Sequence, residues 1–224
     1  MMNLSSFLAL LLVVTLVAGQ FVNECANAPY NNVPNNSPAA DPQAPEEFYV
    51  SFGTNVTSSD DPIVMKITRA WAPLGVDRFF QLIADKYYQN AAFFRVVPDF
   101  VIQFGIAASP DETKKWNTNI PDDPVLKSNK QWTLTYATAG PGTRTSQVFI
   151  NLVDNAGLDD QGFAPFGEVV SGFDTVKGIN NPTPGSSDGA NQELYTKKGN
   201  EWILSKYPDV SIITCVEQVD QLQK

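Results

Sequence analysis

The sequence predicts a mainly β domain, either a closed β-barrel or a β-sandwich. Short segments rich in β-branched and aromatic residues alternate with turn signals, and few stretches have helical periodicity. Hydrophobic residues make up 43% of the 224 residues and charged residues 17%, which excludes a disordered chain and a coiled coil. The length favours one domain over two.

The strand-like segments extend almost to the C-terminus. They cover residues 48–52, 63–67, 93–97, 100–104, 132–137, 147–152, 166–170 and 210–219. Pro98 and Asp99 predict a tight turn between the third and fourth segments. Such short, regularly spaced strands are typical of a barrel or a sandwich.

Three helices are predicted. The first begins near Pro73, which suits a first helical turn, and its buried face repeats at helical spacing. That face consists of Val76, Phe79, Phe80, Ile83 and Tyr87. The other helical stretches are residues 173–179 and 192–206.

The N-terminal residues 1–19 are predicted to be a secretory signal peptide. The apolar run from Phe7 to Ala18 is too short to span a membrane comfortably, and small residues follow at 17–19. An uncleaved anchor is the alternative. Residues 20–46 form a Pro- and Asn-rich arm, and residues 47–220 form the main domain. We therefore expect the protein to be secreted, or to reside in the lumen of the secretory pathway or a bacterial periplasm.

The two cysteines lie near opposite ends of the mature chain. Cys25 is in the arm and Cys215 is in the last strand-like segment. An even pair in an oxidising compartment predicts a disulfide between them, and two buried thiols are the alternative.

Charge and composition exclude several functions. Acidic residues number 24 and basic residues 15, for a net charge of −9, so we expect no nucleic-acid partner and, after signal cleavage, no membrane partner. The chain has no histidine, which excludes Ser-His-Asp and Cys-His nucleophiles, HExxH metalloproteases and imidazole metal sites. Any catalysis must use carboxylates, arginine, lysine, hydroxyls or amides.

Two segments combine polar and apolar groups on one strand face. Residues two apart on a strand share a face, so Val101 lies beside Gln103, and Gln147 beside Phe149. Arg95 belongs to the same block of sequence. From spacing alone, a solvated arginine with edge glutamines is as good an explanation as a functional site.

These two segments resemble the cyclophilin family of peptidyl-prolyl cis-trans isomerases. The resemblance covers residues 48–219 and rests on the F-x-R-V-x-P-x-F-x-x-Q block at 93–103 and the S-Q-x-F-I block at 146–150. It implies a closed eight-stranded antiparallel β-barrel capped by two helices. The C-terminal sequence is similar to a divergent secretory branch with an extra helix.

The resemblance also implies a set of roles. Arg95 is the catalytic arginine and Gln103 orients it. The residues expected to bind the substrate are Phe100, Val101, Ala137, Thr138, Gln147, Phe149, Leu158 and Phe163. The expected partners are proline-containing segments of client proteins. We expect a monomer without a cofactor or metal.

The chain departs from the family pattern at several site positions. Phe94 and Phe163 stand at or near histidine positions, Val101 replaces a methionine, Thr138 an asparagine and Gly157 a tryptophan. These departures bear on substrate preference and on binding of cyclosporin, a drug that the family commonly binds in this pocket. The alternative function is a cyclophilin-fold binding module or chaperone with little turnover.

Overall fold

The computed structural model describes residues 43–56 and 61–219. The predicted signal peptide, the arm up to residue 42 and Cys25 lie outside the described residues. The predictions about them, and the domain boundaries, therefore stay predictions. No helix within the described ranges is long and apolar enough to cross a membrane.

Eight antiparallel strands form a single curled sheet, so the predicted β class and barrel-like architecture are confirmed. The strands are β1 (Glu47–Thr54), β2 (Ile63–Thr68), β3 (Arg95–Val97), β4 (Val101–Phe104), β5 (Thr133–Tyr136), β6 (Val148–Asn151), β7 (Pro165–Ser171) and β8 (Ile213–Val219). Their order across the sheet is β3-β4-β6-β5-β7-β2-β1-β8.

The sheet curls into a half-barrel, whereas the sequence analysis expected a closed one. Within the described ranges, an isolated bridge between Ala92 and Ile212 joins the two edges of the sheet, and the Asn90 N–H adds a hydrogen bond of 2.6 Å to the Ile213 carbonyl. The edge strand β3 has only three residues, which keeps the contact between the two edges of the sheet short. In addition, the carbonyl of Phe94 accepts a hydrogen bond of 2.8 Å from the Ala190 N–H, so a loop covers this edge.

In the part of the chain that the structure describes, four α-helices accompany the sheet. They are α1 (Pro73–Ala84), α2 (Pro110–Trp116), α3 (Phe173–Lys177) and α4 (Gln192–Lys206). The first, third and fourth lie where helices were predicted, although Tyr87 follows α1 instead of belonging to it. Helix α2 was not predicted, because none of its residues is buried and no apolar periodicity marks it.

A buried aspartate fixes the start of α1. The Asp123 carboxylate accepts hydrogen bonds from the N–H groups of Leu74 at 3.0 Å and Gly75 at 2.8 Å. These first-turn donors have no partner within the helix, and a negative charge is favourable there. Arg144 donates to the same carboxylate at 3.1 Å. Asp123 therefore links the segment around Arg144 to the first turn of α1.

Candidate active site

One cavity of about 580 Å³ collects every residue to which the sequence analysis gave a catalytic or substrate-binding role. Those residues are Arg95, Phe100, Val101, Gln103, Ala137, Thr138, Gln147, Phe149, Leu158 and Phe163. Val101, Gln103 and Phe149 alternate along their strands with core residues such as Ile102 and Ile150. The cavity therefore lies on the face of the sheet opposite to the main core.

Strand register places the polar groups in one row. Arg95 of β3 lies opposite Gln103 of β4, and Gln103 lies opposite Phe149 of β6. Directly opposed residues project on the same side of a sheet. The arginine is thus separated from an aromatic wall by a single glutamine, a juxtaposition that spacing along one strand could not predict.

A chain of hydrogen bonds runs along this row. Arg95 Nη1 donates to Gln103 Oε1 at 3.0 Å, and Gln103 Nε2 donates to Gln147 Oε1 at 2.8 Å. Gln103 is 7% exposed, so little water competes for its amide. This geometry supports the orienting role that the resemblance implies for Gln103.

A second contact holds the guanidinium from the other side. Arg95 Nε donates to the carbonyl oxygen of Ser187 at 2.6 Å, and the Phe100 ring centroid lies 5.9 Å from the guanidinium carbon. Burial lowers the pKa of Arg95, and the negative charge of Asp188 partly offsets that shift. Arg95 stays charged at physiological pH, and Nη2 has no hydrogen-bond partner among the described residues. The N–H groups of Nη2 therefore remain available to a ligand.

Apolar side chains form the rest of the wall. Val101 and Phe149 are almost fully buried, and Leu158 and Phe163 are half-buried. The rings of Phe149 and Phe163 pack edge to face with centroids 5.8 Å apart. A wall of this kind can bind a small apolar ring next to the guanidinium.

Two of the departures from the family pattern make contacts within the protein itself. Phe94, which directly precedes β3, is fully buried and packs against Tyr195 of α4, with ring centroids 6.1 Å apart. Thr138 lines the cavity, but its hydroxyl lies 2.8 Å from the Thr143 hydroxyl and takes part in the local turn. The missing histidine before Arg95 therefore reflects packing under α4.

A buried asparagine ties down the wall that carries Leu158 and Phe163. Asn129 Nδ2 donates to Asp159 Oδ1 and to the Phe163 carbonyl, each at 2.8 Å. Thr135 Oγ1 of β5 donates to Asn129 Oδ1 at 2.9 Å. Burial raises the pKa of Asp159, but hydrogen bonds from Ser128 and Asn129 outweigh it, and the pKa is lowered overall. No pattern in the sequence predicts this network.

We expect Asn129→Ala to destabilise the protein by about 1–3 kcal/mol, because it leaves buried partners without their hydrogen bonds. Urea denaturation followed by tryptophan fluorescence measures the change. The exposed Asn119→Ala is the matched control and should cost less than about 0.5 kcal/mol. Equal stabilities of the two variants would show that the network contributes nothing.

One loop contributes residues to the cavity that were not predicted from the sequence. Ser187 and Asp188, from the loop between α3 and α4, and Gln192, from the first turn of α4, line the cavity. Gly189 has a φ of +76°, and a Cβ there would lie 2.5 Å from Arg95 Cβ. The only sequence signal was the glycine itself, since glycine tolerates both the positive φ and the close approach.

The half-barrel and the arginine–glutamine row beside an apolar cavity define the class of protein that the sequence resembles. The family model described as "Cyclophilin type peptidyl-prolyl cis-trans isomerase/CLD" matches residues 49–199. The chain belongs to this family, and its class is that of the peptidyl-prolyl cis-trans isomerases.

Curated relatives agree with this assignment. The chain is 31% identical to "Peptidyl-prolyl cis-trans isomerase-like 1" of Gibberella zeae, over 59% of this chain and 83% of the relative. It is 33% identical to "Peptidyl-prolyl cis-trans isomerase cyp18" of Streptomyces antibioticus, over 60% of this chain and 86% of the relative.

Solved structures support the fold. A cyclophilin type peptidyl-prolyl cis-trans isomerase of Cryptosporidium parvum superposes with a TM-score of 0.58 at 22% identity, covering 78% of this chain and 99% of the other. A second structure of that protein, determined in the presence of the dipeptide Ala-Pro, gives a TM-score of 0.57.

Proposed function

We propose that the protein accelerates rotation about X-Pro bonds in proteins of the secretory pathway and thereby assists their folding. Family membership supports the reaction. The predicted signal peptide and the cysteine pair support the compartment, which is the extracellular space, the lumen of the secretory pathway or the periplasm.

The reaction suits the residues of the cavity. An X-Pro bond has partial double-bond character and a rotation barrier of about 18–20 kcal/mol. Rotation removes the amide conjugation and leaves the prolyl nitrogen pyramidal and basic. A guanidinium that donates a hydrogen bond more strongly to this twisted form than to the planar form lowers the barrier.

The single observation that carries the proposal is how Arg95 is held. Gln103 and the Ser187 carbonyl fix its guanidinium beside an apolar wall that can hold the proline ring. A donor held in advance does not have to reorganise as the bond twists. Neither proton transfer nor a nucleophile is needed for this step.

A protease-coupled assay on a proline tetrapeptide, with purified residues 20–224, tests the proposed activity. Lowering the barrier by about 7 kcal/mol would accelerate the reaction by roughly five decades. The alternative is a binding module or chaperone with little turnover, which the altered rim at Gly157 and Phe163 favours. Peptide binding without acceleration would establish that alternative.

The compartment needs a separate test. N-terminal sequencing of the protein recovered from the source organism should find a mature chain that begins close to residue 20. Size-exclusion chromatography of that material tests the predicted monomer. A chain that retains Met1 would contradict the proposed route through the secretory pathway.

The proposed disulfide between Cys25 and Cys215 should stabilise the mature protein by about 2–4 kcal/mol. Cys215 is buried in β8 next to Gly53 of β1, where a Cβ on the glycine would lie 2.7 Å from its sulfur. Peptide mapping without reductant should recover the two cysteines in one linked peptide pair. A Cys25→Ser variant that matches the parent in urea denaturation would contradict the stabilising role.

A further inference from the structure

The loop between α3 and α4 brings a carboxylate to the cavity. Among the described side chains that line the cavity, Asp188 is the only acidic one and Arg95 the only basic one. Asp188 is exposed, and no described residue donates a hydrogen bond to its carboxylate or forms an ion pair with it. The carboxylate is therefore available to a charged group of a bound peptide.

Close contacts on either side hold Asp188 in place. The carbonyl of Ser187 accepts the hydrogen bond from Arg95 Nε at 2.6 Å. On the other side, Gly189 lies directly against Arg95 and Phe94, where a Cβ would have no room. The next residue, Ala190, is buried and donates its N–H to the Phe94 carbonyl at 2.8 Å. The loop thus presents Asp188 at a defined place beside the arginine.

Asp188 changes the charge of the cavity. Without it, the lining would carry the single positive charge of Arg95 and would repel a basic side chain. With it, the formal charge of the lining is zero. Around the rim, the exposed Asp160 precedes the lining residue Gln161, and Glu193 follows Gln192 but is paired with Lys197 at 2.6 Å. The net charge of −9 also favours positively charged ligands.

We infer that Asp188 is a specificity-determining residue that makes the site favour peptides with lysine or arginine directly next to the proline. This inference rests on the proposed function. Ion pairs between exposed groups are weak, so the preference for a basic over an acidic neighbour is about two- to fivefold in kcat/KM. The preference decreases as salt screens the charges.

Exchange spectroscopy by NMR on matched peptides tests the inference. The peptides carry lysine, glutamine or glutamate either just before or just after the proline, and the readout is the ratio of kcat/KM for lysine over glutamate. Asp188→Asn should remove this preference. The control is Asp174→Asn on α3, which makes the same change in net charge at an exposed position outside the cavity lining and should keep the preference.

Three results would contradict either the inference about Asp188 or the proposed function. If the parent protein accelerates the glutamine peptides but has equal rates for lysine and glutamate at both flanks, the inference is overturned and the proposed function stands. If Asp174→Asn lowers the ratio as much as Asp188→Asn, the preference belongs to net charge and the inference is overturned. Acceleration of no peptide overturns the proposed function itself.

Discussion

Arg95→Ala is expected to lower kcat/KM for a proline tetrapeptide by about 10²–10³-fold while leaving the fold intact. Loss of one donor that acts in the transition state typically costs about 2.7–4 kcal/mol. Arg95 is half-buried at the edge of the sheet, outside the hydrophobic core. The protease-coupled assay measures the loss, and far-ultraviolet circular dichroism with thermal unfolding checks the fold.

Arg95→Lys separates the shape of the guanidinium from its charge. Lysine keeps the positive charge but cannot reproduce the planar fork that reaches Gln103 and the Ser187 carbonyl together. We expect this variant to lose most of the activity as well. Near-normal turnover of the alanine variant would refute the assignment and favour the binding-module alternative.

The strands were predictable because alternation and β-branched residues mark them directly. Val101 and Gln103 could be placed on one face from their spacing alone. Helix α2 was not predictable, because its sequence Pro110–Trp116 is mostly polar and contributes no buried side chain. The degree of closure also escaped the sequence analysis, since it depends on the loop that covers the Phe94 carbonyl.

The candidate active site was likewise predictable only in part. Family resemblance selected residues that the structure brings together around one cavity, whereas their spacing left a solvated arginine as an equal explanation. The contacts made by Ser187 and Asn129 could be predicted neither from the family resemblance nor from spacing. The first is made by a backbone carbonyl, which any residue could supply, and the second joins side chains 30 residues apart in sequence, Asn129 and Asp159. No local pattern encodes either contact.

The second large effect is expected with cyclosporin, which should inhibit this protein about 10²–10³-fold more weakly than a family member with the rim tryptophan. Gly157 at that position supplies neither an indole N–H nor a ring. One hydrogen bond contributes about 0.5–1.5 kcal/mol. Burying half of a ring of 150–250 Å² adds on the order of 2–3 kcal/mol. Phe163 can replace apolar contact but cannot donate a hydrogen bond.

Gly157→Trp should recover much of this affinity, because it restores the indole N–H and the ring at a position where a Cβ meets no described atom within 4 Å. Gly157→Ala is the matched control, since it adds the Cβ without the ring and should leave inhibition weak. Inhibition titrations in the isomerase assay measure all three proteins. Nanomolar inhibition of the parent protein would show that other residues rebuild the rim. Catalysis itself should persist in every case, because rotation of a small prolyl peptide depends on Arg95 and the inner apolar wall, and Gly157 is not among the residues that line the cavity.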